Sequence, residues 1–463
     1  MRHFSKPHLA ATVALGLILS QTSIISAFAQ TAPHVFEAEF FEQYAPLNAM
    51  DMVDQIPGFQ LESADNRRGL GQGGANVLIN GERLTGKTDV GSQLTRIVAE
   101  TVVRIEIRDG ASLDIPGLSG QVANIITKTT GQTGTWSWAP EFRKHQPVSY
   151  THAHFTVSGK TGELSYTAEL RNEASRRGDW GPELLTSADG TVFEIRDEVG
   201  KYQFDGPGVV VDLNWKPQDD HIGNLNLEYN KTNWVQSVRS SRRAQTSLGE
   251  DLETVFTGGE DEWNAKIGAD YEFPVGPGKF KAIGYYRFER SPTRRSFSVF
   301  ELTGDQQSGS IFDRLADESE SIARAEYSWS PVKGRDWTLG VEGAFNMLDI
   351  ESDLLVYDAG QYIVEPLDGA SSRVEERRAE ATLAHSRALS PKWDLQLSLG
   401  AEYSQLEVIG EGSENFIRPK GYERSDHLGG SAKNEEVDAY KNCGGRPSTG
   451  RDAVLRAGLL QRD

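Results

Sequence analysis

Three short segments between Val77 and Lys128 decide the fold: VLINGERL at 77–84, RIEIRDGAS at 104–112 and GLSGQVANIITK at 117–128. Ile105 and Ile107 alternate with Arg104, Glu106 and Arg108, the period of a strand with one oily and one wet face. Asn80-Gly81 is a hairpin-turn dipeptide, because both residues tolerate positive φ. Asp109-Gly110 turns the chain again, and the apolar run Val122–Thr127 completes a small mixed α/β unit. Just upstream, AMDMVDQIPGF at 49–59 places Leu47, Met50, Val53 and Ile56 at helical spacing, which predicts a helix over Leu47–Gln55. Pro57-Gly58 ends it, and Phe59 and Leu61 then alternate into a strand. The glycines at 71, 73 and 74 precede a strand rather than a helix, so they do not form a phosphate cradle.

These elements resemble the plug domain of TonB-dependent outer-membrane receptors. Plugs of that family carry an Ile-Pro-Gly segment, a "vLIdG" strand, an "IERIEVLRGPAS" strand and a "GGVINIITK" strand in this order. All four have counterparts here, across roughly eighty residues. The chain departs from the family at Asp114-Ile115-Pro116-Gly117, where Tyr-Gly often stands.

The net charge of -19 argues against nucleic acid as a partner, since phosphate binding needs a basic surface. A hydrophobic content of 37% suits strands with one wet face better than a large closed core. The single cysteine, Cys443, precludes an intramolecular disulfide. The chain has no C-x-x-C, H-E-x-x-H, G-x-S-x-G or Walker sequence, and paired carboxylates such as Glu318 and Glu320 read as loop charges. No enzyme activity, cofactor or metal motif is expected. His152 and His154 share one strand face, as a ligand pair could. The plainer reading is two polar residues on a wet wall.

Residues 1–29 have a basic start (Arg2, His3, Lys6), an apolar stretch at Leu9–Leu19 and an Ala27-Phe28-Ala29 cleavage motif. They predict a secretory signal peptide, with residues 30–132 as the plug. From Ser149 onward the chain alternates with period two. Trp263, Ala265, Ile267, Ala269, Tyr271 and Phe273 oppose Asn264, Lys266, Asp270 and Glu272. Leu164–Arg171, Val209–Trp215, Asn224–Tyr229 and Trp393–Tyr403 repeat the pattern. Short turns at Gly159–Gly162, Pro217–Asp220, Pro274–Gly278, Pro331–Asp336 and Ser390–Lys392 recur about every 57 residues, too far apart for the turns of a sandwich. Trp215, Phe273, Phe280, Trp329, Trp337 and Trp393 lie beside these turns on the apolar face, as an interfacial girdle would. Longer polar segments at Arg176–Ile195, Val238–Glu262 and Ser291–Glu320 read as outer loops.

The expected fold is therefore mainly β. It is a transmembrane antiparallel β-barrel of about 11–12 strands over 133–420, apparently incomplete beside the family's barrels of about 22, with an N-terminal α/β plug. Residues 421–463 are hydrophilic and atypical of such a barrel. A frameshifted or truncated product is the favoured reading of them, and a genuine tail on a smaller barrel is the other.

The resemblance implies an outer-membrane receptor and transporter for a scarce solute such as a ferric siderophore, another metal chelate, cobalamin or an oligosaccharide. It implies a TonB-type inner-membrane energy transducer, outer-membrane lipid and the barrel assembly machinery as partners. Ligand contacts are expected from Arg67, Arg68, Gln72 and Ile115, Pro116, Gly117, Leu118 and Ser119 at the plug apices. His34, Val35, Phe36 and Glu37 are the counterpart of the transducer-coupling segment. Arg104, Glu106 and Arg108 are candidates for plug–barrel contacts. The competing readings are an uncoupled porin-like channel, a structural surface β-protein such as an adhesin, and a secreted carbohydrate-binding β-domain.

Overall fold

The computed structural model describes residues 34–62, 75–83, 90–110, 113, 120–128, 131–332, 334–390, 393–410, 416–419 and 452–461. All fall in one compact unit, Pro33–Asp463. The signal-peptide reading of 1–29 lies outside the described residues.

The N-terminal elements are β1 (His34–Glu37), α1 (Ala38–Phe41), α2 (Ala49–Val53), β2 (Val77–Ile79), β3 (Glu82–Arg83), α3 (Val90–Thr95), β4 (Val102–Asp109) and β5 (Gln121–Thr127). Their strands form a five-stranded sheet in the order β1-β4-β5-β2-β3, parallel only between β2 and β5. Asn80 and Gly81 have φ of 52° and 83°, as the tight β2–β3 hairpin requires. The core lies against one face of the sheet. Phe41, Met52, Val53, Ile56, Val90 and Leu94 pack there on Ile105 and Ile125.

The helix predicted over Leu47–Gln55 is shorter. Asn48 forms a capping box with Asp51, so the first helical residue is Ala49. Leu47 is left outside, 75% exposed, and the buried stripe is Ala49, Met52 and Val53. Phe59–Leu61 joins no ladder among the described residues. Instead, the Asn76 side chain bonds the Gln60 carbonyl and the Glu62 amide, at 2.8 and 2.7 Å.

The rest of the chain is one antiparallel sheet of fifteen strands. These are β6 (Gln132–Trp138), β7 (Ala153–Thr161), β8 (Leu164–Arg177), β9 (Trp180–Thr186), β10 (Val192–Gln218), β11 (His221–Ala244), β12 (Leu252–Val275), β13 (Gly278–Glu301), β14 (Gln306–Val332), β15 (Arg335–Asp358), β16 (Gln361–Glu365), β17 (Ser371–Ser390), β18 (Trp393–Gly410), β19 (Phe416–Pro419) and β20 (Asp452–Gln461). With β9, β16 and β20 set aside as branches, twelve strands follow one path from β6 to β19. Among the described residues, β6 does not pair with β18, β19 or β20, so the barrel wall stays open. All five predicted turns are hairpin connections, as in Val275 opposite Gly278 and Val332 opposite Arg335.

Two expectations need correction. The segments read as long loops are mostly strand. β10 and β14 run 27 residues and β11, β12, β13 and β15 run 24, whereas about 9–11 residues suffice to span a bilayer core. Where both faces of a strand are wet, alternation fades while the backbone ladder continues. The tail is not uniformly irregular either. β20 pairs with Trp393–Glu402 of β18, and Ala453, Leu455, Ala457 and Leu459 stand opposite Ala401, Leu399, Leu397 and Leu395.

The large sheet is inside-out relative to a water-soluble protein. Its polar face is the buried one: Glu169, Asn264, Asp270, Arg324, Glu342 and Arg378 are each under 10% exposed. Its apolar face is open: Leu170, Tyr229, Ile267, Leu339, Val341 and Tyr403 are 44–59% exposed. Toward the turns this open face carries a run of touching rings. Trp215–Tyr271, Tyr271–Phe273 and Phe273–Phe280 stand at 6.2, 5.7 and 5.6 Å, and Tyr327–Trp329 and Trp329–Trp337 at 5.4 and 6.2 Å. Among the described residues no helix is long and apolar enough to cross a membrane, which says nothing of strands.

Such a face predicts a specific response. Ile267→Arg, at a half-exposed position, should cost about 2–4 kcal/mol of unfolding free energy in lipid vesicles, because its charge enters hydrocarbon. Denaturant titration of the reconstituted protein measures it. A change near zero, normal for a water-exposed strand position, contradicts the assignment.

Candidate functional site

The small sheet meets the polar face of the large one through a buried arginine. α3 ends at Thr95, and the next residue, Arg96, is only 3% exposed. Its Nη1 donates to the Ser92 carbonyl at 3.0 Å, which holds the side chain along its own helix. Its Nε and Nη2 reach Asp212 Oδ2 on β10 at 3.0 and 2.8 Å, and Nη1 lies 3.9 Å from Glu169 on β8. Asp212 also accepts from Asn226 at 2.7 Å, and Glu169 from Arg171 at 3.2 Å. A second contact comes from the β2–β3 hairpin. Glu82 accepts from Asn214 at 3.2 Å and pairs with Lys216. Charges this deep are tolerable only when matched, and each is.

Arg104, Glu106 and Arg108, the expected wall contacts, are brought together with one another. They alternate along β4, so all three project from the same face. Arg104 Nε donates to Glu106 Oε1 at 2.8 Å and Arg108 Nη2 to Oε2 at 2.5 Å. Burial raises the Glu106 pKa, but the two guanidiniums outweigh it and leave the carboxyl below its ordinary range. His34–Glu37 is β1, an edge strand paired residue for residue with Ile107–Arg104. Arg67, Arg68, Gln72 and Ile115–Ser119 lie outside the described residues.

Arg96 was not singled out by its sequence context. Its only local signal is a lone cation in an otherwise uncharged stretch, Val90–Ala99. Its partners lie 116 and 73 residues away, so only the fold can pair them.

A cavity of about 930 Å³ opens between the far end of β8, the segment before β7 and Phe204 of β10, with its β8 lining about ten to fourteen residues from the β7–β8 turn. Ala139, Glu141, Arg143, His152, Glu173 and Arg177 are among its lining. Glu141 pairs with Arg143 and accepts the Arg176 amide at 2.5 Å. Burial raises the Glu141 pKa, and these donors more than reverse it. At that distance from the turn, about 33–46 Å along the strand, the cavity sits at the far rim of a membrane-thick band.

No protein-family model matches the chain, and no curated protein matches its sequence. Solved structures do. The ferric yersiniabactin uptake receptor FyuA from Yersinia pestis is 11% identical, over 85% of this chain and 79% of its own, with a TM-score of 0.25. The ferric citrate transporter FecA is 11% identical, over 82% and 74%, with a TM-score of 0.26. The siderophore receptor PirA from Pseudomonas aeruginosa is 12% identical, over 83% and 94%, with a TM-score of 0.21. All three are receptors or transporters by name, and none is an enzyme.

The docking contact can be tested directly. Arg96→Met leaves Asp212 and Glu169 without their shared cation and should lower the opening free energy of α3 and β4 by about 3 kcal/mol. That is the lower end for a broken buried pair, because Asp212 keeps a quarter of its surface in water. Asp212→Asn in the same background should restore part of the loss. Hydrogen exchange of the α3 and β4 amides reads both.

Proposed function

We propose that this chain is an outer-membrane receptor of the TonB-dependent kind, taking up a scarce solute through a partial barrel blocked by residues 30–132. The observation that carries the reading is one arrangement. A unit bearing all four plug-like segments in order is docked, through Arg96 and Glu82, on the polar face of a sheet whose other face is oily and open. A plug needs a wet lumen, and a barrel needs lipid outside it. The cell outer membrane provides both.

Energy enters such a receptor by traction from the inner membrane. If His34–Glu37 is the coupling segment, the pull acts on β1 and passes through its ladder to β4. The matched charges on that strand and at Arg96 favour release as a sliding of polar surfaces over uncovering a core. The solute classes compatible with a wet, mixed-charge lumen are ferric siderophores and other metal chelates, cobalamin and oligosaccharides.

The test is uptake of radiolabelled ferric chelates, cobalamin and oligosaccharides by cells expressing this protein, with and without the energy transducer. Saturable uptake of one class that disappears on transducer deletion is expected. Uptake indifferent to the deletion would mark an uncoupled channel, and recovery of the protein free of the membrane fraction would mark a secreted β-domain.

A further inference from the structure

The β7–β8 register assembles a group that neither strand shows alone. His154 pairs across with Arg171 and Ala153 with Asn172, which sets His152 opposite Glu173. The Glu173 carboxylate then faces both imidazoles. Its Oε1 is 2.9 Å from His154 Nε2 and its Oε2 is 3.5 Å from His152 Nε2. The ligand atoms of the three residues all lie within 4.8 Å of one another.

We propose that His152, His154 and Glu173 form a binding site for a divalent ion of the zinc type. Three features point to it. The first is spacing. Tetrahedral ligands about 2.1 Å from zinc stand about 3.4 Å apart, near the 2.9 and 3.5 Å that separate Glu173 from the two imidazoles. The second is the backing of each ring. His152 Nδ1 lies 3.0 Å from the Ala174 carbonyl, with the Ala174 amide at 3.4 Å, and His154 Nδ1 lies 3.5 Å from Glu169 Oε1. With an ion bound at Nε2, the proton of each neutral imidazole sits on Nδ1, where these oxygens can accept it, the orientation of metal-bound histidines. The third is access. His152 and Glu173 line the rim cavity, and about a third of each imidazole is open to solvent. Two imidazoles with one carboxylate suit zinc better than magnesium or calcium, which prefer oxygen.

Two nearby guanidiniums are offset by carboxylates. Arg171 pairs with Glu169, and Arg143 with Glu141. The same Glu169 stands 3.9 Å from Arg96. A cation at the rim is therefore joined through one carboxylate to the arginine that docks the small sheet. This proposal stands apart from energy coupling and is tested without it.

The experiment is chelator-competition titration of ZnCl2 into the full chain reconstituted in detergent micelles, with CoCl2 in a parallel arm read by its visible ligand-field bands. One saturable zinc site per chain, with a cobalt spectrum of tetrahedral or five-coordinate type, is expected. The double variant His152→Ala/His154→Ala should lose it. Glu169→Gln, which keeps all three ligands, should weaken it about ten-fold. His385→Ala, a histidine stacked on Trp337 elsewhere in the sheet, should not change it. Heat-modifiable gel mobility confirms that each variant is folded. Absence of saturable binding in the parent chain, or equal affinity in the folded double variant, overturns the proposal.

Discussion

On the proposed reading the large sheet lies in hydrocarbon, where a backbone amide has no water to turn to, and that single constraint shapes it. Each strand on its main path is hydrogen-bonded to the next through an antiparallel ladder, as along β12 and β13, where pairing runs from Leu252 to Glu260 and again from Trp263 to Val275. With the backbone satisfied within the sheet, the side chains are free to sort by solvent. They sort in the reverse of a soluble fold: Ile267 and Tyr229 are open, while Asp270 and Arg324 are enclosed. The enclosed charges then need partners. Asp270 finds Lys281 at 3.2 Å, and Glu342 lies between Arg324 and Arg378. The small sheet enters the same scheme, offering Arg96 to a wall lined with acids.

The two sheets are stabilised differently. The small one has an ordinary oily core around Phe41, Leu94 and Ile105, and burial of apolar surface is its main support. The large one buries few apolar side chains and relies on its ladder, on charge matching and on whatever bathes its open face. Joining the two through ion pairs gives a contact that is specific yet contains little apolar surface. The proposed function asks for a contact of that kind, since on that reading the small unit moves to admit solute.

Much of this fold could be read from the chain. Strand alternation and five regularly spaced turns predicted the large sheet, and Asn80-Gly81 predicted the hairpin of the small one. Errors arose where the local signal and the local physics diverge. Val238–Glu262 looked like loop because strands wet on both faces lose their alternation. Leu47 looked like core because a capping box one residue later could not be weighed against periodicity. β20 was missed because a short apolar stretch in a hydrophilic segment finds β18 only once the register is known. The site was less legible. Glu173 approaches the two histidines through strand pairing, and Arg96 reaches Asp212 across 116 residues. Neither distance has a trace in spacing.

The account stands on which face of the large sheet meets lipid. Nitroxide labels placed one at a time at residues 264–271, in a Cys443→Ser background reconstituted into vesicles, measure it by collision with oxygen and with a water-soluble nickel chelate. Ala265, Ile267, Ala269 and Tyr271 should collide with oxygen and be shielded from nickel, with Asn264, Lys266 and Asp270 out of phase. Nickel access at Ala265, Ile267 and Ala269, or no alternation along the strand, would contradict it.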